Sequence, residues 1–351
     1  MNAAVRAAYG NVWQGMIQRQ FIGNAIAERG ADARLPSAGV QCAPAVLMVR
    51  PAAFGFNAQT APSNRFQRAA PANVSTAAQA LAEFAALQAA LERAGVRTCV
   101  VEDTPEPVKP DAVYPNNWVS FHADGTVVLY PLEAANRRPE RRAEILASVE
   151  SELAFRRRRL LDFSGEEQRG RYLEGTGSLV LDHACRVVYA CRSTRTDASL
   201  VREWAGLMGY EAEVFDAEDA KGAAIYHTNV LLAIGTRCAV LCAAALAARD
   251  RERVRERLIA TGRALIEIDR QGLHAFAGNV LELRADTAAG ASAGCSVLVT
   301  SSQARAAFTG EQWATLARAV DLIIDVAVPT IERAGGGGVR CMLAEVPAMR
   351  P

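Results

Sequence analysis

The chain has 351 residues and a mass of 37.5 kDa; half of its residues are hydrophobic, 22% are charged, and the net charge is +1. This composition excludes a disordered chain and gives no basic field for nucleic acid or an acidic membrane surface. No apolar run approaches the roughly 20 residues needed to cross a bilayer.

Eight cysteines are too sparse for a disulfide scaffold. There is no Cys-x-x-Cys and no Cys/His pair at zinc spacing, so no metal is expected. Cys185, Cys191, Cys238, Cys242 and Cys295 lie in or beside apolar strand-like runs, where a reduced cysteine acts as a small hydrophobe. Residues 1–39 lack the charged start and apolar stretch of a secretory signal. A reducing, cytoplasmic setting is expected.

In chain order, residues 1–42 read as an Ala/Arg/Gln-rich extension, either a partly helical arm or a disordered one. The folded body is expected to start with a short buried strand at Ala45–Val49 and to run to about residue 347 as one domain. Residues 75–94 predict a helix: Leu81, Phe84, Leu87 and Leu91 keep helical spacing, Ser75 and Thr76 can cap it, and Gly95 stops it. Residues 138–157 predict a second, opening at Pro139. Further helices are expected near 197–208, 245–262 and 303–319. The arginines at 156–159 read as a solvated helix end.

Between the helices lie hairpin patterns. Residues 117–121 and 126–130 flank a turn at Asp124-Gly125. Residues 177–182 pair with 186–190, 229–234 with 238–242, and 279–283 with 296–300. A last strand over 339–346 can pair with the early strand at 45–49. The starts fall near 117, 174, 227, 279 and 341, a weak repeat of the kind built from one supersecondary unit. Five such units can close a ring and remove free sheet edges.

Unusual polar residues gather at these starts: Asn116-Asn117, Glu174, His227-Thr228-Asn229, Asn279 and Cys341. In a ring they would meet at one place. Cys341 follows four glycines, Gly335 to Gly338, which let a substrate approach the backbone closely. That run lacks the Lys-Ser/Thr of a phosphate-binding loop. A thiol, an imidazole and a carboxylate together form a coherent covalent hydrolase, in which Cys341 attacks, His227 moves protons and Glu174 orients the histidine.

These residues carry a resemblance. Pro115-Asn116-Asn117-Trp118, Leu173-Glu174-Gly175-Thr176-Gly177-Ser178, Ser193-Thr194-Arg195-Thr196, His227-Thr228-Asn229 and Gly335 through Cys341-Met342 resemble the guanidine-group-modifying enzymes, the pentein superfamily. The segment from Val49-Arg50-Pro51 through Phe54-Gly55-Phe56-Asn57 makes the chain most similar to the citrulline-utilisation hydrolases. The resemblance covers about 43–347. It implies a five-bladed, pseudo-symmetric α/β propeller of ββαβ units, with Cys341 as nucleophile, His227 as general acid/base and Glu174 as its partner. It also implies that Arg195 grips the substrate's α-carboxylate, a role suited to a bidentate guanidinium.

Arginine deiminases carry aspartates where this chain has Asn229 and the Asn116-Asn117 pair. An amide can donate to a urea oxygen, whereas a carboxylate only accepts. The expected reaction is therefore cofactor-free hydrolysis of citrulline to ornithine, carbon dioxide and ammonia. The alternatives are a dimethylarginine hydrolase or arginine deiminase producing citrulline, amidino transfer, a redox sensor, and, from a different class, a non-catalytic pentein binding protein. The expected partner is a small amino-acid substrate, without nucleic acid or membrane; a homo-oligomer stays open.

Overall fold

The computed structural model describes residues 41–69, 76–286 and 294–349. Among these residues fifteen strands form five three-stranded sheets, and all five follow one plan. A short lead strand pairs antiparallel with a middle strand, which runs parallel to an outer strand. Each middle and outer strand are joined through a helix, as parallel pairing requires.

The first sheet has β1 (Ala45–Arg50) in the middle and β2 (Arg97–Glu102) outside, joined by α1 (Thr76–Arg93). The second has β3 (Val119–Phe121), β4 (Thr126–Leu129), α2 (Ala143–Glu152) and β5 (Arg159–Asp162). The third has β6 (Val180–Asp182), β7 (Val187–Cys191), α3 (Ala198–Met208) and β8 (Glu211–Phe215). The fourth has β9 (Leu232–Ile234), β10 (Cys238–Leu241), α4 (Ala248–Ile259) and β11 (Ala264–Glu267). The fifth has β12 (Leu281–Arg284), β13 (Ser296–Ser301), α5 (Gly310–Ala319) and β14 (Leu322–Val326). The lead strand of the first sheet is β15 (Ala344–Val346), whose Val346 pairs with Ala45. All five expected hairpins are present.

The apolar core links each sheet to the next. Leu47 and Val49 of β1 pack with Val119 and Val127 of the second sheet, and Val128 and Tyr130 pack with Leu181 and Val188 of the third. Val180 and Phe215 join Leu232 and Val240, which join Leu298. Val297 and Val299 of the fifth sheet then pack with Val46 and Met48 of the first.

Several boundaries differ from the expectation. The second helix is shorter than 138–157: Pro139 sits inside a separate 3-10 turn, Ala135–Glu140, and the helix ends at Glu152. Arg156 to Arg159 are exposed, but they lead into β5 instead of ending a helix. The stretch 303–319 breaks in two at Thr309, whose hydroxyl and the Gln312 side chain form a reciprocal cap that starts α5. All eight cysteines are free, but Cys185 is exposed in a turn instead of packed as a small hydrophobe. Of the expected extension, Gln41 and Cys42 are described and both are buried; the rest lies outside the described residues, as does Ser75. Among the described residues no helix is long and apolar enough to cross a membrane, and no His/Cys/Asp/Glu group could hold a metal.

Candidate active site

The residue just before each lead strand is where the sheets bring chemistry together. Asn116 and Asn117 lie in a 3-10 turn before β3, Glu174 opens the turn before β6, and His227 precedes the turn before β9. Cys341 sits in the turn Val339–Met342 before β15. Asn229 and Asn279 hold the same position ahead of β9 and β12. All are buried.

Glu174 is the hub. Its Oε2 accepts from His227 Nε2 at 2.9 Å and from Arg195 Nη1 at 3.4 Å, with Arg137 Nη1 at 3.8 Å. Its Oε1 accepts from the backbone N–H of Glu133 at 3.1 Å. Burial would raise this carboxyl, but Arg195, His227 and Arg137 outweigh it and hold Glu174 well below the usual carboxylate range. Burial lowers the His227 pKa against the opposing pull of Glu174, so the ring is neutral at neutral pH. A neutral ring donating to a carboxylate through Nε2 leaves Nδ1 as its basic nitrogen.

The Cys341 thiol faces two amides. Asn279 Nδ2 lies 3.3 Å from Sγ and Asn229 Nδ2 lies 3.5 Å away. Burial pushes the thiol up; these two donors and the neighbouring Arg340 charge pull the other way. His227 and Cys341 line one cavity, together with Asn117, Arg195 and residues from the irregular segment 51–69.

The sequence motifs have steric reasons. A Cβ on Gly177 would lie 2.6 Å from both His227 Nδ1 and Asn117 Nδ2, closer than real contacts allow, so the Gly-Thr-Gly turn needs glycine there. A Cβ on Gly335 would strike the Tyr114 hydroxyl at 1.9 Å. The tetraglycine run is thus small because the protein's own side chains press on it, a tighter reason than substrate approach alone.

The family model of N,N-dimethylarginine dimethylhydrolase, eukaryotic, matches residues 50–348. The chain belongs to this family. Its place is within the pentein superfamily, whose hydrolases act on guanidino C–N bonds through a catalytic cysteine. No curated protein matches the chain. Among solved structures, ArgZ, an arginine dihydrolase from the ornithine-ammonia cycle in cyanobacteria, is similar with a TM-score of 0.66 at 15% identity, over 88% of this chain and 41% of that one. Unliganded AgrE has the same TM-score and identity over 88% and 40%. A dimethylarginine dimethylaminohydrolase variant in an adduct with S-methyl-L-thiocitrulline has a TM-score of 0.58 at 15% identity, over 86% and 98%. The chain thus spans about two fifths of ArgZ, and 98% of ArgZ's N-terminal domain, with a TM-score of 0.64. These likenesses show the fold shared across the family's superfamily.

Not every predicted residue faces the cavity. Asn117 does, but Arg137 takes its Oδ1 at 2.8 Å and Asn116 Oδ1 takes its Nδ2 at 3.1 Å. Asn116 is fully buried beside it, with an Nδ2 that has no partner among the described residues. Arg195 lines the cavity but is largely engaged: Nη2 donates to Thr60 O at 2.7 Å, Nε to Ser63 Oγ at 2.9 Å, and its face covers the Tyr226 ring at 5.1 Å.

Three residues of this family member escaped the sequence reading. Arg137 forms a buried bidentate pair with Glu140, at 2.9 Å on both arms, and reaches Asn117. Asp111 lines the cavity with Oδ2 held by Asn57 at 2.7 Å and Thr60 at 3.1 Å, while its buried Oδ1 has no partner among the described residues. Asn279 was visible as a hairpin start and received no role. Arg137 sits in the 3-10 turn Ala135–Glu140 and Asp111 in an irregular turn, and nothing in the sequence marks them.

Proposed function

We propose that this chain is a cysteine hydrolase of the ureido or guanidino carbon of an arginine-like amino acid, with citrulline the leading substrate. The observation that carries the reading is His227, held by Glu174, lining one cavity with an amide-flanked thiol. Cys341 Sγ adds to the ureido carbon and passes its proton to His227. The C–N bond to the δ-nitrogen breaks, His227 returns the proton, and ornithine leaves. Water then attacks the S-carbamoyl group and frees the thiol, and the carbamate decomposes to carbon dioxide and ammonia. Asn229 and Asn279 stabilise sulfur as it becomes anionic by donating to it.

Citrulline is favoured because the groups near the thiol are neutral amides. The Glu174 carboxylate is already occupied by His227 and Arg195. The unpartnered Oδ1 of Asp111 is suited to the substrate's α-ammonium, while Arg195 and Arg137 offer positive charge to its α-carboxylate. Family membership favours the second reading, a dimethylarginine hydrolase that yields citrulline. The apolar clusters that link each sheet to the next support a closed five-bladed propeller and one domain over 43–347. Eight free cysteines suit a reducing, cytoplasmic setting.

A substrate panel tests the reading: citrulline, arginine, methylated arginines and agmatine, with ornithine, citrulline and ammonia measured as products. Ornithine and ammonia from citrulline are expected. Citrulline formed from methylarginines, with no turnover of citrulline itself, would install the second reading.

A further inference from the structure

Four consecutive glycines give the backbone ahead of Cys341 more conformational freedom than any other residue allows, so a thiol on such a run is placed only as well as the run is held. Gly336 is its pivot: at φ +65° it ends the short helix Pro329–Gly335, and from it the chain continues to Cys341. Its carbonyl accepts from the Tyr226 hydroxyl at 2.5 Å and from Asn64 Nδ2 at 3.2 Å. Tyr226 is itself fixed. It is 4% exposed, its ring centroid lies 4.6 Å from that of the adjacent His227, the Phe66 ring meets it edge to face at 5.7 Å, and Arg195 Cζ lies 5.1 Å over it. Burial pushes the phenol well above its usual range, so the hydroxyl keeps its proton and stays a donor; it is no acid or base for the reaction.

We propose that Tyr226 is a positioning residue, whose ring is wedged against His227 and whose hydroxyl pins the pivot of the run that carries the Cys341 thiol. One rigid side chain thereby fixes the nucleophile's loop relative to the residue that takes its proton. This rests on the reaction proposed above for the roles of Cys341 and His227. Tyr114, which also lines the cavity, is less suited: its hydroxyl is shared between Ile331 O at 3.2 Å and Gly337 O at 3.4 Å. A displacement of about 1 Å between reacting groups costs about 10²-fold in rate, so a pin on the glycine run has a large effect on turnover.

Tyr226→Phe keeps the ring and deletes the hydroxyl. It is compared with Tyr130→Phe, which deletes a buried tyrosine hydroxyl bonded to Ser120 and Trp204 in the core. Two readouts are taken on the full chain: kcat and KM for the substrate found by the panel, and the rate of Cys341 alkylation by iodoacetamide, followed on the Cys341 peptide by mass spectrometry. Tyr226→Phe lowers kcat at least about tenfold with KM within about twofold. It speeds alkylation about fivefold, because loss of one neutral hydrogen bond loosens the run around a buried thiol. Tyr130→Phe leaves both at the native value. A native kcat or a native alkylation rate in Tyr226→Phe, or equal changes in Tyr130→Phe, overturns the proposal. Alkylation needs no substrate, so a chain that turns over nothing in the panel fails the proposed reaction while this arm still decides the role of Tyr226.

Discussion

Replacing Glu174 with glutamine keeps the side chain's shape and removes one acceptor. In the native site both carboxylate oxygens are used, Oε1 by Glu133 N–H and Oε2 by His227 and Arg195. An amide has a single oxygen, so one of these donors must face an NH2 group. If the NH2 faces His227, the ring moves its proton to Nδ1 and loses the basic nitrogen proposed to take the Cys341 proton. Wrong-tautomer substitutions of this kind cost about 10⁴ in rate, and loss of general acid/base function alone costs about 10²–10⁴. Arg195 and Arg137 are 2% and 1% exposed, and both lose an anion. Breaking such a buried charge cluster costs about 3–5 kcal/mol. The sign with pH follows from the lowered carboxyl. Glu174 contributes stability that is present above the ordinary carboxylate pKa of about 4.3 and is lost as pH falls through its depressed folded value. Urea denaturation of both proteins between about pH 3 and pH 7 therefore shows a gap that narrows on acidification, while steady-state assays at pH 7 give the rate loss. A variant within tenfold of native kcat and within about 1 kcal/mol in stability at pH 7 would refute this account of the hub.

Cys341→Ser abolishes turnover and leaves the unfolding midpoint close to native, because serine stays protonated without a stronger base; substantial residual activity removes Cys341 from its role. Asn229→Asp, measured in the Cys341→Ser background, shifts the citrulline-to-arginine affinity ratio towards arginine by about tenfold, the difference between a charged and a neutral hydrogen bond. Asn117→Asp shifts it less, since Arg137 neutralises the new carboxylate; unchanged ratios in both single variants and in the double variant return arginine derivatives to first place. Gly177→Ala forces His227 or Asn117 to move and drops kcat at least about tenfold, checked by kinetics alongside circular dichroism.

Much of the fold was legible because it repeats. The turn at Asp124-Gly125 and the apolar pairs around Gly235 mark hairpins locally, and Leu81, Phe84, Leu87 and Leu91 mark α1 by periodicity. The site was legible where residue types are out of place, as with His227 before an apolar strand or Cys341 after four glycines. Arg137 was hidden because its 3-10 turn borders α2 and reads as more helix. Asp111 was hidden because its importance lies in Thr60 and Asn57, which fold over from a distant irregular segment. The break at Thr309 was missed because helical spacing resumes on both sides of it.

The position of Cys341, just ahead of the strand that pairs with β1, also sets an order of events during translation. At about 5–20 residues per second, roughly 15–60 s separate the synthesis of β1 from that of β15. Over that interval His227, Glu174 and both amides already exist, and the thiol does not. A growing chain therefore carries the groups that steer the sulfur before it carries the sulfur. The proposed nucleophile arrives just ahead of the strand that completes the first sheet, so the thiol and that long-range pairing are acquired together. Contacts this distant along the chain form slowly, which makes the pairing of β15 with β1 a late step of folding.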